Sequence, residues 1–231
     1  AVKSPLLQQS HRIYFVANTA YVNLSSGEIS ITETSQRDLR RFLGGRGLGA
    51  KLLYDLVGPT VEPLSPDNAL IFTAGPLVGT PWPTSSRLHV TFKSPLTGIY
   101  GYANSGGFFG AELRHAGYDA LVVTGQASGP VTIQVFDQDI TIRDAGDIWG
   151  KIVSETDRAL LGENPKAKEG RIACIGPAGE NLVKIAAIMN DGCRAAARGG
   201  PGAVMGEKRL KAIHVRASAR ESLPPDLRAA A

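Results

Sequence analysis

An α+β fold built as two related, β-rich halves is what this 231-residue sequence predicts. Three observations carry the prediction. Two glycine-rich segments share one layout: Asn104-Ser-Gly-Gly-Phe-Phe-Gly-Ala-Glu-Leu113 and Ala196-Ala-Arg-Gly-Gly-Pro-Gly-Ala-Val-Met205. They align without a gap, so that Gly110 meets Gly202, Leu121 meets Ile213 and Val123 meets Val215. Each segment also follows a short apolar run ending in Gly-Pro, Ile71 to Pro76 and Ile172 to Pro177, which marks an internal duplication. Finally, strand and hairpin patterns outnumber helical ones, with no regular βαβ alternation.

The elements follow in order. Tyr21–Leu24 and Ile29–Glu33 alternate around a Ser/Gly turn and predict a hairpin. Ser35 is placed to cap a helix over 36–43, which Gly44-Gly45 ends, and apolar spacing predicts a second helix over 48–57. A short buried strand is expected at 69–74 and an alternating strand at 87–93, separated by a Pro/Gly-shaped loop. A turn at 94–98, a short helix over 110–116 and a strand at 120–124 complete the first half. The second half opens with a hairpin, 131–136 and 140–143. A helix over 148–161 capped by Asp147 follows, then a polar loop at 163–169. Strands at 171–175 and 183–189, the second glycine loop, a short helix and a strand at 212–216 close it. Pro224-Pro225 among polar neighbours reads as a linker over 219–231, leaving one domain over 1–218 whose globular part begins near residue 10.

Composition is that of an ordinary globular protein. The net charge of +4 is mild and no long Lys/Arg run exists, so a nucleic-acid partner gains no support. No apolar run reaches membrane-spanning length and no secretory pattern opens the chain, so a cytoplasmic protein is expected. Cys174 and Cys193 lack the C-x-x-C spacing, so this chain alone is not expected to supply a four-cysteine cluster or zinc site. His11, His89, His115 and His214 have no ligand spacing and are expected to be structural. Glycine loops that open helices leave N–H groups free, so two of them suggest a ligand with two phosphate-bearing halves, or two copies of one ligand. A nucleotide site is the weaker reading, because neither loop has the lysine or acidic residue such sites use.

Several strings taken together resemble the tungsten-containing aldehyde:ferredoxin oxidoreductases. They include Gly44-Gly-Arg-Gly-Leu48, Pro63-Leu-Ser-Pro-Asp-Asn68, Lys93-Ser-Pro-Leu-Thr-Gly98, Ala103-Asn-Ser-Gly-Gly107, Ile188-Met-Asn-Asp-Gly192 and Gly199-Gly-Pro-Gly-Ala-Val-Met-Gly206. The resemblance covers nearly the whole chain but only the N-terminal domain of that longer family. It implies two intertwined repeats forming a platform for a tungsten ion held by two pterin dithiolenes, with Mg²⁺ bridging the pterin phosphates. The [4Fe–4S] cysteines and the substrate-binding groups are expected downstream, so no residue of this chain is assigned as catalytic. Implied partners are the C-terminal domains of the same enzyme and ferredoxin or a similar acceptor, with a homodimer as an option.

By the same resemblance, Arg87, Asn104, Gly106, Arg194, Ala195 and Ala197 bind the cofactor, and Asn104 and Ala195 ligate Mg²⁺. Each type suits its task. Arginine donates a bidentate fork, and a carbonyl oxygen suits a hard cation. Ser85-Ser86 and Ala197 stand where relatives often carry glycine, and the Ala197 methyl demands an ordinary φ. Arg198 is placed to balance phosphate charge, whereas Arg46 either faces the cofactor or sits in a helix–helix turn. Two alternatives stay open: a stand-alone pterin-binding or assembly module, and the tungsten subunit of a relative with another substrate.

Overall fold

A computed structural model describes residues 18–162 and 170–218. The expected polar loop at 163–169 and the linker at 219–231 lie outside the described residues. The first half comprises strands β1 (Asn18–Asn23) and β2 (Ile29–Glu33), then helices α1 (Gln36–Phe42) and α2 (Gly45–Leu56). It continues with β3 (Leu70–Ala74), β4 (Leu88–Lys93), β5 (Tyr100–Ser105), α3 (Phe109–His115) and β6 (Ala120–Thr124). The second half comprises β7 (Val131–Phe136), β8 (Asp139–Asp144), α4 (Val153–Leu161), β9 (Arg171–Cys174) and α5 (Pro177–Glu180). After these come β10 (Ile188–Asn190), β11 (Arg194–Ala196), α6 (Pro201–Glu207) and β12 (Leu210–Arg216).

Each half forms one mixed six-stranded sheet, ordered β2-β1-β6-β3-β4-β5 and β8-β7-β12-β9-β10-β11. Only β1–β6 and β7–β12 run parallel, so the two sheets match strand for strand in order and direction. The expected α+β class and its doubling therefore hold at the level of topology. One buried cluster takes side chains from both halves, among them Phe72, Val90, Phe109 and Leu121 with Ile133, Ile188, Met205 and Ile213. Each such side chain contributes roughly 1.5–3 kcal/mol by leaving water. On the outer face of the first sheet α2 packs on β3 and β4, with Leu53 against Ile71 and Val122. Gly49 makes that approach close, because a β-carbon there would meet Thr91 Oγ1 at 2.5 Å.

Several boundaries differ from expectation for local reasons. Ser35 does cap α1, but Leu43 in the left-handed region ends it, and Gly44-Gly45 then opens α2 rather than closing α1. Asp147 caps no helix. A 3₁₀ turn at Gly146–Ile148 stops at extended Trp149 and Gly150 with φ +86°, and α4 begins only at Val153. The strand expected at 183–189 is confined to Ile188–Asn190, since the chain first makes α5 and a turn. Strand β5 was not anticipated. Its outward row is Tyr100, Tyr102 and Asn104, and its inward row is Gly101, Ala103 and Ser105, all buried. Small inward residues are required there, because a β-carbon on Gly101 would meet Ser94 Cβ at 2.9 Å and the Phe92 ring at 3.0 Å.

Candidate cofactor-binding site

Strands β5 and β11 are the edge strands of their sheets and lie against each other. That contact brings the two sequence-predicted clusters together. On the first edge, Asn104 pairs with His89 across β4–β5, and Arg87, just before β4, donates Nη1–H to Asn104 Oδ1 at 2.8 Å. Charge-assisted bonds of this kind fix the planar guanidinium in one orientation. Arg46, in the first turn of α2 just after the turn from α1, reaches the same strand, its guanidinium 4.3 Å from the ring centroid of Tyr102. Tyr102 and Asn104 are two apart on one strand and share a face. Beside Gly106 the space is open, with nothing within 4 Å of a β-carbon position.

On the second edge, β10 and β11 form a hairpin in which Asn190 faces Arg194 and Met189 faces Ala195. Arg194, Ala195, Ala197 and Arg198 are exposed. Ala197 avoids the left-handed region, as its methyl demands. Ser85 donates to the Trp82 carbonyl at 2.6 Å and so shapes the loop leading to Arg87. That loop borders a cleft of about 330 Å³ lined in part by Trp82, Arg87 and His89.

One expectation about the glycine loops needs correction. The first two N–H groups at α3 are not free: Phe108 and Phe109 both donate to Asp191 Oδ2, at 2.6 and 3.2 Å. The start of α6 is occupied as well, since Pro201 has no N–H and Gly202 donates to the Ala186 carbonyl at 2.9 Å. The exposed cationic groups of this cluster are the arginine side chains Arg87, Arg194 and Arg198.

His89 was expected to be merely structural, yet it lies within this cluster. Burial, then the cations Arg46 and Arg87, hold its pKa below the usual histidine value, so the ring is neutral at pH 7. Its Nδ1 is buried with no hydrogen-bond partner. His115 does take a structural role, its Nε2 lying 2.9 Å from the Gly79 carbonyl, and His214 packs edge-on against Phe136. His11 lies outside the described residues. Glu112 accepts from the Ala217 N–H, and Asp119 pairs with Arg114 at 2.5 Å, both remote in role from the cluster. Cys174 is buried, its thiol pushed up to about 12 chiefly by burial and next by Asp157, while Cys193 is exposed. Among the described residues no group of three or more His, Cys, Asp or Glu is arranged to hold a metal ion. No helix among them is long and apolar enough to cross a membrane.

Sequence reasoning missed Tyr102, Ser105 and Asn190. The period-2 alternation of Tyr100 to Ser105 was the available signal for the first two. Asn190 stands in the Ile188–Gly192 string, but its partners in the first loop are more than 80 positions away and could not be read from it.

The profile of the aldehyde ferredoxin oxidoreductase N-terminal domain matches residues 19–217. The chain belongs to this family. Tungsten-containing aldehyde ferredoxin oxidoreductase of Pyrococcus furiosus is 58% identical over 197 residues, covering 85% of this chain and 32% of that protein. The protein of the same name from Thermococcus kodakarensis is 55% identical over 199 residues, covering 86% and 33%. Among solved structures, the active site complex BamBC of benzoyl coenzyme A reductase in complex with 1,5-dienoyl-CoA matches with a TM-score of 0.85 and 38% identity. That match covers 91% of this chain and 32% of the other. The chain thus spans about a third of the length of these relatives.

Proposed function

We propose that this chain is the tungsten bis-pterin-binding N-terminal domain of an aldehyde:ferredoxin oxidoreductase. The observation that carries the reading is the meeting of edges β5 and β11, which sets Arg87, Asn104 and Gly106 beside the hairpin of Arg194 and Ala195. The donor set suits the group: exposed arginines at both edges for phosphate and dithiolene charge, backbone carbonyls for a hard cation, and open space beside Gly106. Arg87, held by Asn104, orients one pterin. Arg194 and Arg198 would balance phosphate charge, Ala197 would help to hold the pterins, and Asn104 and Ala195 would offer carbonyl oxygens to Mg²⁺. The tungsten centre supplies the two-electron redox chemistry when bound. What this chain contributes is rigid placement and charge balance.

In the full enzyme the reaction is aldehyde plus water to carboxylic acid, releasing two protons and two electrons. The electrons leave through a [4Fe–4S] cluster to ferredoxin, with cluster ligands and substrate groups in the remaining domains. We take the enzyme as cytoplasmic, with a homodimer as an option. We read the two halves as one intertwined duplication. Reciprocal ties support this, Ser94 Oγ to the Gly199 carbonyl at 2.7 Å and Asn190 Nδ2 to the Gly106 carbonyl at 2.9 Å.

The test is metal and pterin analysis of the full-length protein purified from tungstate-grown cells. About one tungsten and two pterins per chain are expected, falling sharply in Arg87→Ala/Arg194→Ala, and a wild-type protein without either would refute the reading. A second reading, a tungsten subunit acting on another substrate, is favoured by the likeness to the benzoyl coenzyme A reductase complex. It also gains from 36% identity to the aliphatic sulfonate oxidoreductase WOR-like subunit of P. furiosus. Viologen reduction with simple aldehydes separates the two readings. A stand-alone pterin module would carry tungsten without iron.

A further inference from the structure

We infer that Asn190 and Asp191 form a positioning latch that sets the spacing between the two cofactor loops; the inference rests on the cofactor reading above. Asn190 bridges both loops at once. Its backbone faces Arg194 in the β10–β11 hairpin, and its side chain reaches the other half of the molecule. There Nδ2 donates to the Gly106 carbonyl at 2.9 Å, and Oδ1 accepts from Ser105 Oγ at 2.6 Å. The Gly106 carbonyl and the Asp191 carboxylate, which only accept, fix which way the Asn190 amide points. Nδ2 also donates to Asp191 Oδ2 at 2.9 Å, so the buried amide has every polar atom engaged.

Asp191 completes the latch. Its Oδ2 takes the N–H groups of Phe108 and Phe109, while Arg171 stands 3.7 Å from Oδ1 and 4.9 Å from the ring centroid of Phe108. Gly107 has φ +97°, and a β-carbon there would run into the Asp191 carboxylate and come within 2.9 Å of Asn190 Nδ2. Only glycine lets the loop close to this distance. The consequence is geometric: Gly106, beside Asn104, cannot shift relative to Arg194 without breaking buried hydrogen bonds. A ligand that must touch both loops needs their separation held to a fraction of an ångström.

The test uses the full-length enzyme loaded in tungstate-grown cells, with tungsten content, pterin fluorescence after oxidative release, and the W(V) paramagnetic resonance spectrum as readouts. Asn68→Ala is the control. Asn68 is equally buried and bonds the Pro63 and Lys93 carbonyls, but it has no part in either loop. Asn190→Ala is expected to lower tungsten and pterin about fivefold or to shift the W(V) spectrum. Asn68→Ala should lower the melting temperature comparably and keep both readouts. Asp191→Ala should act like Asn190→Ala, and Asp191→Asn, which retains an acceptor oxygen, should restore loading. This pair tests the latch if Asn190→Ala does not accumulate. Full loading with an unchanged spectrum in both Asn190→Ala and Asp191→Ala overturns the latch alone, as does equal loss in Asn68→Ala. Wild-type enzyme lacking tungsten and pterin overturns the cofactor reading and the latch with it.

Discussion

Replacing Gly206 by alanine is a small change with a severe steric consequence. Gly202 and Gly206 lie four apart on one face of α6, and α5 packs directly on that face. A methyl on Gly206 would stand 2.6 Å from the Gly179 carbonyl carbon and closer still to its oxygen. Ordinary carbon–carbon contact needs about 3.5 Å, so α5 must retreat by about 1 Å. Overpacking of this kind costs about 1–3 kcal/mol on its own. The retreat also pulls on Glu180, whose Oε1 accepts from Lys211 Nζ at 2.5 Å and whose Oε2 accepts from the Gly150 N–H at 2.9 Å. Lys211 is fully buried, and parting such a pair costs about 3–5 kcal/mol. We expect Gly206→Ala to lose about 3 kcal/mol or more, a large share of the roughly 5–15 kcal/mol that folded domains have. Urea unfolding followed by tryptophan fluorescence measures it. Gly58→Ala, with nothing within 4 Å of the new carbon, serves as control and should change stability by less than about 0.5 kcal/mol. A loss below about 1 kcal/mol in Gly206→Ala, with unchanged denaturant slope, would mean that α5 yields without disturbing Glu180, and the reasoning would fail.

Further outcomes are expected. Arg87→Ala should barely change melting, because its bond to Asn104 is exposed, yet should lower tungsten retention in the full-length enzyme; equal retention would refute its assigned role. Asp157 has its pKa raised, first by burial and then by Asp191. The folded carboxyl thus holds its proton where the unfolded one has lost it, and stability falls as pH rises through that window. Asp157→Asn should therefore melt higher than wild type at pH 7, with the gain vanishing toward pH 3. Lys208 is buried among the carbonyls of Asn68, Gly125 and Pro66 at 2.6, 3.1 and 3.3 Å, and burial lowers its pKa to about 8. The folded state releases this proton before the unfolded state does, so Lys208 should add stability as pH rises from about 8 toward 10.5. The full change corresponds to about 3 kcal/mol, and Lys208→Met should lack that rise in pH-dependent melting.

Much of the candidate site was legible because its members sit in local motifs. Arg87, Asn104, Gly106, Arg194 and Ala195 were named before any geometry, and the structure brings the two groups to adjoining sheet edges. Three features were not legible. Strand β5 hides behind small inward residues, which betray a strand only once Phe92 and Ser94 are seen pressing on it. The helix expected over 148–161 has sound apolar spacing, but Gly150 in a positive-φ conformation separates its first turn from α4. His89 looked like a lone histidine until strand pairing placed it across from Asn104, beside two arginines.

The sequence by itself determined the α+β class, the doubling, the hairpins, the family and the residue types at the site. These depend on periodicity, turn chemistry and motif order, all short-range properties of the chain. Tertiary structure alone decided that Asp191 takes the first two N–H groups at the start of α3 and that the Ala186 carbonyl takes the Gly202 N–H at α6. It alone placed Asn190 between Gly106 and Arg194. The reason is physical: a buried polar group takes whichever partner the fold brings within about 3 Å, and nothing in the local sequence says which that will be.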